Sequence, residues 1–146
     1  LLEEYRLEPE SLDLEVTETM LMADADGALA VMNELRQMGV KLSIDDFGTG
    51  YSSLAYLRRL PIDALKIDRV FVRDMLQNEQ DVIIVRSIIA LAHNLNLLVV
   101  AEGVEDADTL RNLHEMNCDM AQGYHIARPA PPDDITQWLA AGEFWR

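Results

Sequence analysis

Residues 40–53 read VKLSIDDFGTGYSS: a short strand that runs into paired carboxylates and then into a glycine-rich turn. Leu42 and Ile44 alternate with Lys41, Ser43 and Asp45, the period of a strand with one apolar and one polar face. Gly48 and Gly50 follow at once, where they let the backbone turn tightly beyond a strand's C-terminal end.

Working outward, the same kind of unit recurs along the chain. Strands are expected at residues 12–17 (LDLEVT), 40–45 (VKLSID), 64–68 (ALKID), 97–101 (LLVVA) and 119–122, and helices at residues 26–38, 53–58, 81–95, 107–116 and 132–140. Short apolar strands alternating with helix-length amphipathic segments imply βαβ units and a parallel sheet. Asp24 or Asp26 and Asp106 suit N-caps, and Gly39 stands where a C-terminal cap glycine belongs. The expected fold is α/β: a (β/α)8 TIM-like barrel, here a partial barrel of about five βα units. No low-complexity linker divides residues 1–146, which read as a portion of one domain. The opening LLEEYRLEPESL has no initiator Met and reads as a helix end entering a strand, so the chain is expected to begin within a longer protein.

Alternation assigns faces. Leu14 and Val16 oppose Asp13, Glu15 and Thr17; Leu65 and Ile67 oppose Ala64, Lys66 and Asp68. Apolar faces suit an outer ring of helices, which turns Glu15, Asp45 and Lys66 into the barrel near its C-terminal mouth. Glu102 and Gln122 end the fourth and fifth strands. Barrel enzymes keep their active sites at that mouth.

Bulk composition narrows the chemistry. A hydrophobic fraction of 49% with only 6% aromatics predicts an aliphatic core. The net charge of −14 argues against a basic surface for duplex nucleic acid. It still admits a phosphate ligand, because divalent metals in an acidic cleft reverse the local sign. The single cysteine, Cys118, excludes an internal disulfide, lacks the Cys/His company of a zinc site and reads as structural. No apolar run reaches the roughly 18 residues of a membrane span, and no secretory signal opens the chain. The expected location is cytoplasmic.

Clustered carboxylates repel one another unless cations neutralise them, and hard oxygen ligands select Mg²⁺ or Mn²⁺. Two such ions roughly 3.5–4 Å apart clamp the attacking and leaving oxygens of a phosphodiester. The adjacent Asp45 and Asp46 suit that task, one bridging two ions and the other binding the second. Lys66 could orient the attacking water or neutralise phosphoryl charge, or simply pair with a neighbouring acid. An unrelated barrel enzyme with a carboxylate-rich mouth, such as an enolising one, would fit these features equally.

The motif string separates those readings. Glu15-Val-Thr-Glu18, Asp45-Asp-Phe-Gly-Thr-Gly-Tyr-Ser-Ser53, Leu65-Lys-Ile-Asp68, Ala101-Glu-Gly-Val-Glu105 and Asp119-Met-Ala-Gln-Gly-Tyr124, followed by Arg128-Pro129, resemble the EAL domain family of cyclic di-GMP phosphodiesterases. The resemblance covers essentially the whole chain. It implies hydrolysis of cyclic di-GMP to linear pGpG with two Mg²⁺ or Mn²⁺ ions. It implies Glu15 as a first-metal ligand, Asp45 as the carboxylate bridging both metals and Asp46 as a ligand of the second. Lys66 resembles the lysine that contacts the catalytic water. Glu102 matches a glutamate at the second metal's edge, ligand or general base, and Gln122 a glutamine near substrate or water. Glu18 resembles the anchor of the loop formed by Asp46, Phe47, Gly48, Thr49, Gly50, Tyr51, Ser52 and Ser53, which in the family links dimer contacts to metal binding. Arg128 and Pro129 are left as structural.

The departures carry expectations too. The family's Glu-Ala-Leu strand, its accompanying arginine and a later asparagine ligand are absent from residues 1–146. The span therefore reads as the C-terminal portion of a single EAL domain and is expected to have little activity alone. An open sheet of this kind would favour swapping or pairing with another copy. A homodimer and flanking sensory or cyclase domains are the expected context. The alternative function is a non-catalytic EAL-derived receptor or interaction module, which typically loses metal ligands.

Overall fold

The computed structural model describes residues 2–50 and 54–141. Tyr51, Ser52 and Ser53, including the expected helix start at Ser53, lie outside the described residues. A short helix α1 (Leu2–Tyr5) and a 3₁₀ turn (Pro9–Ser11) lead into β1 (Asp13–Thr17). There follow α2 (Glu18–Ala23), α3 (Ala25–Gln37), β2 (Lys41–Phe47), α4 (Leu54–Leu57), β3 (Ala64–Ile67), α5 (Arg69–Val72), α6 (Glu79–Asn94), β4 (Leu98–Glu102), α7 (Ala107–Glu115), β5 (Met120–Gln122) and α8 (Pro132–Ala141). The strands form one parallel sheet in the order β1-β2-β3-β4-β5. The expected part-barrel of five βα units is therefore the observed architecture. The helix α1 falls on the opening stretch read as a helix end, whereas two short helices, α2 and α5, escaped the sequence reading, because four to six residues do not show a 3.6-residue period.

The apolar strand faces form the core. Leu42, Ile44, Leu65, Ile67, Val99 and Ala101 are at most 1% exposed and pack with Met32 of α3 and Val85, Ile88, Ile89 and Ala92 of α6. Each such Leu, Ile or Val contributes about 1.5–3 kcal/mol through burial. On the opposite face the Asp13 carboxylate accepts a hydrogen bond from the Ser43 hydroxyl at 3.0 Å, which confirms the polar register. Among the described residues β1 and β5 each pair on one side only, and Leu98 and Met120 of the inner face are half exposed.

One turn is used three times to re-enter the sheet. Val40, Leu97 and Cys118 each donate a backbone hydrogen bond five residues back, to the carbonyls of Leu35, Ala92 and Leu113. The residue at each bend, Gly39, Asn96 or Asn117, is left-handed, with φ of 88°, 58° and 61°. Gly and Asn tolerate that conformation best. Two aspartates then lock the lower ends of the strands. Just before β3, Asp63 accepts from the Leu42 N–H at 3.0 Å and from Arg36 at 2.6 Å. Just before β5, Asp119 accepts from the Val99 N–H at 2.8 Å and lies 2.9 Å from the His93 ring. The bottom of the sheet is thus held by side chains, which leaves the upper ends free for chemistry.

Candidate metal centre at the carboxyl ends of the strands

Strict alternation would turn Asp45 inward and Asp46 out toward the helices. A bulge prevents this. Ser43 and Ile44 pair with Ala64 and Leu65, but Phe47 then pairs with Ile67, so β2 spends one residue more than β3. Asp46 absorbs the extra residue in a left-handed conformation, φ 55°, uncommon for a residue with a side chain. Its carboxylate thereby joins that of Asp45, while Phe47 returns to the core, 6% exposed.

Oxygens of Asp45, Asp46 and Glu102 lie within 4.8 Å of one another. Beneath them Lys66, only 6% exposed, reaches Glu15 at 2.6 Å, Glu102 at 2.6 Å and Asp45 at 3.4 Å. Burial opposes its charge, yet hydrogen bonds to Glu102 and Glu15 and the charges of Glu102 and Asp45 outweigh it and raise the ammonium's pKa. Partial desolvation, then the charges of Asp45 and Asp68, raise the Asp46 carboxyl above its usual range, against the pull of Lys66 and Arg69. Gln122 lies opposite Glu102 in the β4–β5 register. Glu15 stands outside the carboxylate triad and is joined to it through Lys66.

A second device holds the loop above the cluster. Thr17 caps α2 by accepting from the Met20 N–H at 3.4 Å, which starts the helix on Glu18. The Glu18 carboxylate, 3% exposed, accepts from the backbone N–H of Gly48 at 3.4 Å and of Gly50 at 3.1 Å. A Cβ on Gly50 would stand 2.7 Å from that carboxyl group. The Thr49 hydroxyl donates to the Asp46 carbonyl at 2.9 Å. The 48–50 backbone is thus tied both to Glu18 and to Asp46.

The remaining singled-out residues lie apart. Cys118 lines a cavity of about 600 Å³ on the helix side of β5 with Leu110, Leu113 and His125, and burial pushes its thiol up to about 11. Arg128 stacks on Tyr124, 4.7 Å from the ring centroid. No helix among the described residues is long and apolar enough to cross a membrane.

The donor set fits divalent cations. Four carboxylates, Glu15, Asp45, Asp46 and Glu102, face one ammonium, which leaves three negative charges unbalanced. Asp45 Oδ1 is buried and makes no hydrogen bond, since Lys66 at 3.4 Å offers it charge only. A buried acceptor without a donor is costly unless a cation takes it. All-oxygen donors of this kind suit Mg²⁺, Mn²⁺ or Ca²⁺.

The chain matches the EAL domain family over residues 1–129. It is 52% identical over 133 residues to the cyclic di-GMP phosphodiesterase NbdA of Pseudomonas aeruginosa, covering 91% of this chain and 17% of NbdA. The solved MucR phosphodiesterase of the same organism, in complex with c-di-GMP, superposes with a TM-score of 0.89 at 48% identity, covering 92% of this chain and 54% of that one. Klebsiella pneumoniae BlrP1, solved with manganese and c-di-GMP, matches with a TM-score of 0.82 at 37% identity, over 88% of this chain and 33% of that one. The chain spans about a fifth of the length of these curated relatives.

Sequence reasoning missed two features of the mouth. The bulge has no local sequence signal beyond the adjacent acids. Arg69, the residue after the Leu-Lys-Ile-Asp motif, stood in plain view as the first residue of α5, but only the structure sets its charge against Asp46.

Proposed function

This chain belongs to the EAL domain family, and on that footing we propose that it is the carboxylate-bearing part of a phosphodiesterase that opens cyclic di-GMP to linear pGpG. The observation that carries the proposal is the convergence of Asp45, Asp46 and Glu102 around a buried acceptor with no donor. Asp45, Asp46 and Glu102 would hold Mg²⁺ or Mn²⁺, with Glu15 beside them. Such ions, when bound, supply charge neutralisation at the phosphodiester and an acidified water. The chain's own residues do the rest. Lys66, its pKa raised, stays protonated at neutral pH and serves as a hydrogen-bond donor to the attacking water or the phosphoryl oxygens. In this reading Glu102 would receive the water's proton and Gln122, its neighbour across the β4–β5 register, would orient the water. Glu18, through Gly48 and Gly50, would steady the turn that follows Asp46.

Residues 1–146 are proposed to form the C-terminal portion of a single cytoplasmic EAL domain that works as a homodimer, with sensory or cyclase domains beside it. The span carries no Glu-Ala-Leu motif and, among the described residues, five parallel strands. By itself it should therefore turn over little cyclic di-GMP.

The test is turnover of cyclic di-GMP to pGpG, followed chromatographically, by the protein as its gene encodes it. Turnover is expected with Mn²⁺ or Mg²⁺, none is expected in chelator, and Asp45→Asn should lower it by more than a hundredfold. Tight binding without turnover would point instead to a receptor, and unchanged turnover in Asp45→Asn would remove Asp45 from the centre.

A further inference from the structure

A cyclic dinucleotide brings two negative charges to a mouth lined by acids, so a cation of the protein should meet it. Two cationic side chains act on Asp46, those of Lys66 and Arg69. Lys66 is buried beneath the acids and gives two of its three donors to Glu15 and Glu102, which leaves one for the water or phosphoryl oxygen at the reacting centre and none for a wider grip. Arg69 is exposed, and its guanidinium enters no hydrogen bond or ion pair with the described residues.

We propose that Arg69 grips the phosphate of the cyclic dinucleotide, its planar guanidinium donating two hydrogen bonds to the non-bridging oxygens. This rests on the phosphodiesterase reading above. Its root is fixed while its head is free. Asp68 caps α5 through the Val70 N–H at 2.8 Å, and the Arg69 carbonyl accepts from Arg73 at 2.9 Å. Gly103, next to Glu102, presses against it so closely that a Cβ there would come 2.5 Å from the Arg69 Cβ, and its φ of 74° is left-handed. The α5 start and the β4 exit are therefore in contact at Arg69, which roots its side chain next to the residue that follows Glu102, within reach of the charge on Asp46. A fork of parallel N–H donors matches phosphate oxygens in a way an ammonium does not.

The competing role is structural: an exposed arginine that packs on Gly103 and tempers the charge of Asp46. The two roles differ in what they move. A phosphate grip acts on substrate binding in ground and transition state alike, so its loss raises KM and leaves kcat nearly unchanged. A tempering charge acts on metal affinity.

The experiment compares the protein as encoded with Arg69→Gln and Arg69→Lys. Calorimetry with a non-hydrolysable phosphorothioate analogue of cyclic di-GMP, steady-state turnover in Mn²⁺ and a Mn²⁺ titration are the readouts. Arg69→Gln should weaken analogue binding by about 10- to 100-fold, the range for a lost charged hydrogen-bond pair. KM should rise in step, kcat should hold within about threefold, and Mn²⁺ affinity should stay equal or tighten. Arg69→Lys should restore part of the affinity, since it keeps charge and loses the fork. Analogue affinity and KM within twofold of the unmodified protein would overturn the assignment to Arg69 alone. Failure of the unmodified protein both to bind the analogue and to turn over cyclic di-GMP would overturn the phosphodiesterase reading and the assignment with it.

Discussion

Replacing Lys66 by methionine tests whether one buried ammonium holds the carboxylate cluster together before any metal arrives. Methionine keeps much of the stem's volume and removes the charge. Lys66 is 6% exposed and sits 2.6 Å from Glu15, 2.6 Å from Glu102 and 3.4 Å from Asp45. Removing one partner of a buried pair costs about 3–5 kcal/mol. Glu15 is nearly half exposed and water relieves part of its charge, so about 2–3 kcal/mol is expected here. For a chain of 146 residues that lowers Tm by roughly 6–12 °C. The pKa of Lys66 is raised in the fold, so its contribution is complete below the ordinary lysine value of 10.5 and is lost only as pH rises beyond it. The deficit of the variant should therefore be constant through neutral pH. Manganese should repair it, because a ligand at a hundred times its Kd adds about 2.7 kcal/mol. Urea unfolding followed by circular dichroism, in chelator and then in Mn²⁺, measures both effects. A loss below about 0.5 kcal/mol in chelator would refute the charge argument, as would a full loss that Mn²⁺ leaves untouched.

Two further perturbations probe the bulge and the loop. Asp46→Asn should raise Tm in chelator and abolish tight Mn²⁺ binding, because asparagine keeps the left-handed backbone and removes a disfavoured charge. The Asp46 pKa is raised in the fold, so its burden is absent below the ordinary value of 3.8 and grows as pH rises through the folded value. The gap in Tm between the variant and the parent should widen over that window, and a gap independent of pH would contradict it. Glu18→Gln should cost about 1–2 kcal/mol through weakened charge-assisted bonds to Gly48 and Gly50. Amide exchange at those two glycines should speed up; unaltered protection there would show that Glu18 does not hold the loop.

Much of this arrangement can be read from the chain alone. The alternation of Leu42 and Ile44 with Ser43 and Asp45 places the core on one face and the acids on the other, and the register obeys it. Glu15, Asp45, Lys66, Glu102 and Gln122 were legible as strand-end residues because a period of two is a local property. The Asn-terminated helix ends were not, since only Gly39 among the three bends is a glycine. The ion pairs of Lys66 were foreseen only as one of its open roles, because a lysine among the acids of three other strands has no signature within its own strand.

The sequence by itself thus determined the βα order, the face of each strand and the identity of the acids at the mouth. The tertiary structure decided which of those acids meet. Asp45 and Asp46 are neighbours on one strand, and local geometry would part them. It is the pairing of β2 with β3 that forces an extra residue into the bulge, turns Asp46 left-handed and brings its carboxylate to Glu102. The same holds for Arg69, whose place at the mouth is set by the approach of Gly103 from β4. Both are consequences of register and close packing between segments far apart in the chain, which no window of residues contains.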